Sequence, residues 1–303
     1  MPTFRQLEYL VAIADAKNFR RASEVVHVSQ PTLSQQLRAL EASLGVTLVE
    51  RRLGGAELTP IGRDIADRAR RLIVERQDLC DLARSAQDAA VGTLRFGVTP
   101  TLGPYLLPDV IADLSRENPG LRLYIREGIP DEQALDLMRG KLDLLLGPLP
   151  VQGGALRTEP LFREDLMLVA SPRHPLARRS ALHVDDLRGA EILSLHPQHH
   201  LHRQVVDLCE RHGMTLLRDY EGTSLDSLRQ MAATGLGLAV LPKLYVCSEV
   251  GGSAGVCILR PHGWAGHRMI GATWRAQAAL NDLYAQIASR IAVSATRIMT
   301  EYR

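Results

Sequence analysis

The sequence predicts an α/β protein with an all-α-type domain at its N-terminus. Three observations carry this. Apolar residues at helical spacing dominate positions 1–91. Short apolar strands, most of them separated by helical stretches, fill positions 92–303. The chain is 46% hydrophobic but only 4% aromatic, so it should fold on cores of Leu, Val, Ile and Ala.

The first helix is read from Phe4, Leu7, Leu10, Val11 and Ala14. Asn18 is a plausible cap for a second helix over Arg20–Val26. Val28-Ser29-Gln30-Pro31 then forms a turn into a third. Ser29 or Gln30 caps it, and Pro31 is tolerated in the first turn, where its missing N–H has no helical partner. Leu33, Leu37, Leu40 and Leu44 make one apolar face, and Gly45 ends the helix. Two helices joined by a tight turn make a helix-turn-helix pattern. A helix entering the major groove needs short hydroxyl and amide side chains that reach base edges. Gln30, Pro31, Thr32, Ser34, Gln35 and Arg38 are therefore the candidate DNA-contacting residues. The stretch VTLVERRLGGAELTPIG alternates about a Gly54-Gly55 turn and reads as a hairpin wing, with Arg51 and Arg52 placed for phosphate or a minor groove. Residues 1–71 hold eleven Lys/Arg against eight Asp/Glu, a weak excess that agrees with this reading.

From Pro60 to about Gln87 the pattern reads as one long helix with an a/d-like stripe of Ile61, Ile65, Ala69, Leu72, Arg76, Leu79 and Ala83. A helix of this length needs a partner, and pairing with a second copy is the simplest. Beyond Gly92 the strands TLRFGVTP, LRLYIRE, KLDLLLGPL, LMLVASP, AEILSL, LGLAVLP and RMIGATW carry the signature of parallel sheets. Their ends meet Gly, Pro, Thr or Ser, where ligands bind in open α/β sheets.

Other classes find little support. No apolar run reaches the roughly 18 residues of a membrane span, and MPTFRQLEYL lacks a signal peptide's pattern, so a cytoplasmic location is expected. Cys80, Cys209, Cys247 and Cys257 form no CxxC pair or zinc spacing and are expected to be free thiols. No G-x-G-x-x-G leads a strand into a helix, and no serine stands in the context of a hydrolase triad, so the chain is not read as an enzyme. No cofactor is expected.

One segment stands out. LHPQHHLHR holds His196, His199, His200 and His202, followed by Arg203. A metal site, a polar surface loop and the wall of a ligand cleft are all open readings. Pro197 makes the first part a turn, and His200 begins a helix. The metal reading is the weakest, because the imidazoles have no evident fixed tetrahedral or square-planar arrangement. As a cleft wall, the helix N-terminus reinforced by His and Arg suits an anion.

From FRQLEYLVAIADAKNFRRASEVVHVSQPTLSQQLRALEASLGVTLVERR onward, the chain resembles the LysR-type transcriptional regulators over its whole length. TPTLGPYLLP, GKLD and TSLDSLRQMAATGLGLAVLP are most similar to the family's peroxide-sensing, OxyR-like subgroup. The resemblance implies a winged helix-turn-helix at 1–59, a dimerising linker helix at 60–91 and an effector domain at 92–303. The effector domain is implied to have two α/β subdomains of periplasmic-binding-protein type, 92–162 plus 268–303 and 163–267, with the cleft between them. It also implies a homodimer or homotetramer, promoter DNA and RNA polymerase as partners, and a small effector. Cleft positions carried over or read from strand ends are Thr99, Pro100, Thr101, Gly128, Ile129, Pro130, Gly147, Pro148, His199, His200, Leu201, His202, Arg203, Thr223 and Ser224. Of four redox positions of the subgroup, the chain departs at three and keeps one. The peroxide-reacting cysteine falls on His200, a threonine on Pro130 and an aspartate on Arg203, while the resolving cysteine remains as Cys209. Imidazole forms neither sulfenic acid nor disulfide. The expected effector is therefore a small anion, with thiol chemistry at Cys209 and another thiol as the alternative. A free-standing solute-binding protein is a third reading, against which the helix-turn-helix argues.

Overall fold

The computed structural model describes residues 1–52, 55–87, 93–117, 119–250 and 255–301. The chain divides into two compact units, Met1–Arg84 and Ser85–Arg303.

In the first unit, α1 (Phe4–Ala16) starts from a capping box between Thr3 and Gln6. Helix α2 (Phe19–Val25) is capped by the Asn18 side chain, which accepts from the Arg20 and Arg21 N–H groups. Helix α3 (Gln30–Leu44) is capped by Ser29, carries Pro31 in its first turn and ends on Gly45 at φ 71°. Leu33, Leu37 and Leu40 enter the core, but Leu44 is exposed. In α1 the buried residues are Tyr9, Leu10, Ala12 and Ile13; of the expected stripe Leu10 is core and Leu7 and Ala14 pack against it. Phe4 is exposed, with the Arg76 guanidinium over its ring. Strands β1 (Val49–Arg52) and β2 (Gly55–Leu58) form an antiparallel hairpin; Gly54, assigned to its turn, lies outside the described residues.

Helix α4 (Pro60–Gln87) begins against this hairpin, so closely that a Cβ on Gly62 would lie 2.0 Å from the Leu48 carbonyl oxygen. Of its stripe, Ala69 is buried while Ile61, Leu72 and Leu79 stay exposed; Ala66 and Val74, which lie off the stripe, are buried instead. Arg76, which interrupts the stripe, donates to Glu8 (2.8 Å), and Arg70 donates to Asp15 (2.7 Å), so polar contacts tie α4 to α1.

The second unit holds strands β3 (Thr93–Val98), β4 (Arg122–Glu127), β5 (Leu144–Pro148), β6 (Leu156–Ala170), β7 (Glu191–Leu195), β8 (Thr215–Gly222), β9 (Leu238–Pro242), β10 (Cys257–Leu259) and β11 (His267–Arg275). Their order is β4-β3-β5-β11-β6-β9-β7-β8, with β10 beside β6. The sheet is mixed, which corrects the parallel expectation. Pairs β3–β4, β3–β5, β7–β8 and β7–β9 are parallel, whereas β5–β11, β6–β11, β6–β9 and β6–β10 are antiparallel. The long β6 causes this. The stretch 156–165 runs beside β11 and Leu166–Val169 pair with β9, so one strand runs through two lobes with separate cores. Where β6 and β11 change register at Ile270/Gly271, a Cβ on Gly271 would come within 2.9 Å of the Glu159 carbonyl oxygen.

Helices flank both lobes. The first carries α5 (Gly103–Glu117), α6 (Pro130–Met138) and α10 (Asn281–Glu301); the second carries α7 (His200–His212) and α8 (Leu225–Thr234); α9 (Lys243–Glu249) packs on both. Among the described helices, none is long and apolar enough to cross a membrane.

Candidate functional site

On α3 the residues expected to meet DNA do not all face outward. Gln30, Pro31, Thr32, Gln35 and Arg38 are exposed. Ser34 is buried at 6% and points with Leu33 and Leu37 into the helical core, so it is withdrawn from the contact set. The Thr32 hydroxyl lies 2.7 Å from that of Ser29, and Arg38 Nε donates to the Ser34 carbonyl, so both are positioned by neighbours on their own helix. Strand β1 contains Arg51 and Arg52, whose side chains lie outside the described residues.

In the second unit a cavity of about 670 Å³ lies between α6 and α7. One wall is a single face of α7, with His200, Arg203, Gln204, Asp207, Leu208 and Arg211 at helical spacing. The opposite wall is Pro130, Asp131, Ala134, Leu135 and Met138 of α6. Pro148 at the end of β5 and the residues after it to Gln152, including the cis Leu149–Pro150 bond, line it together with Leu166 and His267. Pro130, Pro148, His200 and Arg203 were anticipated. Asp131, Gln204, Asp207, Arg211, His267 and the apolar residues of α6 were not. The i, i+3, i+4 run through α7 was the available signal for Gln204, Asp207 and Arg211.

The α7 start sorts its residues by azimuth. His200 and Arg203 face the cavity, Leu201 is core, and His202 Nδ1 bonds the Leu195 carbonyl at 2.9 Å and lies 3.0 Å from the Ser194 hydroxyl. His199 is the N-cap and makes no side-chain cap bond, and the first turn carries no acidic residue. His196 sits apart, 3.7 Å from Glu221. Among the described residues no three His, Cys, Asp or Glu are grouped to hold a metal. Burial, then the charges of Arg203 and Arg268, hold the His200 imidazole below its ordinary range, against weaker opposite effects of Asp131 and Gln204. His200 Nδ1 and Gln204 Oε1 are both buried without a hydrogen-bond partner among the described residues. Arg203 donates to both oxygens of Asp131, at 3.0 and 3.3 Å.

The remaining anticipated positions lie elsewhere. Thr99 and Thr101 are only 3% and 6% exposed. Arg268 takes Thr101, donating to its hydroxyl (2.9 Å) and its carbonyl (3.1 Å) while Nε donates to Glu164 (2.8 Å). Neither threonine reaches the cavity, because this guanidinium, fully enclosed with Glu164, fills the space beside the α5 start. Pro100 precedes that start, Gly147 packs against the Thr99 methyl, Gly128 N–H bonds the Val98 carbonyl, and Ile129 caps α6 without a side-chain bond. Ser224 caps α8, and Thr223 is exposed beside it. These residues shape strand ends and helix starts but do not line the cavity.

The thiols differ in environment. Cys80 is exposed. Burial pushes the Cys209 thiol up to about 11 and raises those of Cys247 and Cys257. The run Gly251-Gly252-Ser253-Ala254-Gly255 spells G-x-S-x-G, but it follows α9 and precedes β10, the reverse of the strand-to-helix elbow. Residues 251–254 of it lie outside the described residues.

A winged helix-turn-helix followed by a two-lobed α/β domain with a cavity between its lobes has the architecture of a DNA-binding regulator. The comparisons agree. Residues 4–63 match the bacterial regulatory helix-turn-helix protein of the lysR family, and residues 87–291 match the LysR substrate binding domain. The chain belongs to the LysR family of transcriptional regulators, whose members bind DNA and small-molecule effectors and oligomerise. It is 37% identical over 289 residues to the DNA-binding transcriptional dual regulator OxyR of Escherichia coli K12, covering 95% of this chain and 94% of that protein. It also resembles a full-length cysteine-to-aspartate variant of OxyR from Pseudomonas aeruginosa, with a TM-score of 0.74 and 31% identity over 95% of this chain and 94% of that one. A hydrogen-peroxide-bound cysteine-to-serine mutant of Corynebacterium glutamicum OxyR follows at 0.67 and 29%, covering 99% and 94%. The chain is thus an OxyR-like member of its family.

Proposed function

We propose that this regulator works in the cytoplasm and responds to a small anionic effector bound at the α6–α7 cavity between its lobes. The observation that carries the reading is His200 with Arg203 on the cavity face of an α7 start that has no acidic residue in its first turn. Helix dipole and guanidinium act together there on a negative group. Ala134, Leu135, Met138 and Leu208 offer an apolar surface beside it, so a carboxylate with an apolar body suits the cavity. On this reading exposed α3 residues Gln30, Pro31, Thr32, Gln35 and Arg38, with Arg51 and Arg52 of the wing, meet operator DNA. Exposed Ile61, Leu72 and Leu79 of α4 meet a second copy, giving a homodimer or homotetramer that engages RNA polymerase. The effector shifts the balance between two arrangements of this assembly through its different affinities for them. The test is calorimetric titration of the full chain with small carboxylates and sulfate. Binding of at least one, lost in Arg203→Gln, supports the reading; no binding by any, or binding indifferent to Arg203→Gln, refutes it.

The relatives' names favour a second reading, a peroxide response through Cys209 and another thiol. Against it, burial keeps the Cys209 thiol protonated, and the thiolate is the reactive form. Peroxide should leave promoter binding unchanged, and Cys209→Ser should keep the effector response. A peroxide response abolished by Cys209→Ser would establish the second reading.

A further inference from the structure

The Asp131–Arg203 pair joins residues that belong to opposite lobes. Asp131 stands in the first turn of α6, and Arg203 in the first turn of α7. The contact is two-pronged, with Nη1 and Nη2 each reaching a different carboxylate oxygen at 3.0 and 3.3 Å. Both side chains also line the cavity. A carboxylate from one lobe is therefore already seated on the guanidinium of the other. At 51% and 69% side-chain exposure the pair is open to solvent and weak, so a solute anion can compete for the guanidinium.

We infer that Asp131 is the built-in occupant of the effector's anion subsite: it latches the lobes together across the cavity until an effector's anionic group displaces it from Arg203. The inference rests on the reading above, in which an anion takes Arg203. It adds that the protein's own carboxylate already fills the subsite, so effector binding and release of a lobe-to-lobe contact are one event. The departures at this position then make chemical sense together. The chain has an arginine where the resemblance expects an acid, and its acid stands on the facing helix.

Two arms on the full chain test this. In the first, without added anion, hydrogen exchange is followed at the first turns of α6 and α7. Asp131→Asn and Arg203→Gln should each raise it about two- to five-fold, and the charge swap Asp131→Arg/Arg203→Asp should bring it back. Unchanged exchange in Asp131→Asn, or no recovery in the swap, overturns the latch. In the second, benzoate and sulfate are titrated at constant ionic strength. Asp131→Asn should bind about two- to five-fold more tightly than the parent, because the competitor is gone. Asp207→Asn, which removes another carboxylate of the same cavity, controls for general electrostatics and should change affinity less. Equal gains in both variants, or no gain in Asp131→Asn, overturn the occupant role while leaving anion binding intact. No binding by any variant refutes the anion reading and the displacement with it, and the exchange arm still decides the latch.

Discussion

Arg268 and Glu164 form an ion pair that water does not reach, both side chains being 0% exposed. Arg268 makes three bonds: Nε to Glu164 Oε2 at 2.8 Å, Nη1 to the Thr101 hydroxyl at 2.9 Å and Nη2 to the Thr101 carbonyl at 3.1 Å. The other Glu164 oxygen accepts from the Leu244 N–H at 2.9 Å, at the start of α9. Replacing Arg268 by Met keeps much of the volume but leaves a carboxylate enclosed with one N–H. Removing one partner of such a pair costs about 3–5 kcal/mol. Glu164→Gln/Arg268→Met removes both charges and still offers an amide oxygen to Leu244, so it should recover about half of that loss. Thr101→Ala deletes one charge-assisted bond and should cost about 1.5–3 kcal/mol. Urea unfolding followed by tryptophan fluorescence is the assay, because Trp264 and Trp274, the two tryptophans of the chain, both lie in the second unit. A loss below about 1 kcal/mol in Arg268→Met, or a double variant no more stable than it, would refute the reasoning.

Three further outcomes are expected. Because the folded His200 imidazole titrates below the unfolded 6.5, folding favours its neutral form; its stabilisation is complete above pH 6.5 and is lost as pH falls toward the lowered folded value. A ring-proton NMR titration with a midpoint at or above 6.5 contradicts this. In mobility-shift assays Gln35→Ala should weaken binding to its operator by about 1–3 kcal/mol if it makes a bidentate base contact, whereas Ser34→Ala, altering a buried hydroxyl, should change sequence preference little. Maleimide labelling of the native chain, read by peptide mass, should modify exposed Cys80 well before Cys209, whose thiol lies near 11; equal rates would show the second thiol to be accessible and ionised.

The DNA-binding half was the more legible because its signals are local backbone chemistry. Asn18, Ser29 and Gly45 cap or end helices through bonds to residues within one turn, Pro31 fits a first turn that needs no N–H from it, and the structure places them so. Ser34 was misjudged because it stands one residue beyond Leu33 and three before Leu37, at the edge of the buried face, where neighbours decide which way a small side chain goes. The sheet was misread where a strand serves two lobes: nothing within β6 announces that its two ends pair with different partners. Strands β8 and β10 escaped notice for a different reason, since one is largely exposed and the other only three residues long.

The site was half legible on the same principle. Successive helical residues diverge by about 100°, so the histidines of α7 cannot all converge on one ion. His202 turns back to the Leu195 carbonyl, and His200 looks into the cavity. His200 and Arg203, three apart, share a face, and that much follows from spacing. What spacing could not supply is the facing wall. Asp131 lies 72 residues away and meets Arg203 only because α6 and α7 belong to different lobes that the long sheet brings together. A basic helix start read alone suggests a vacant anion site. With Asp131 in place the same residues form a site already occupied, and the affinity of any effector is measured against a carboxylate of the protein's own.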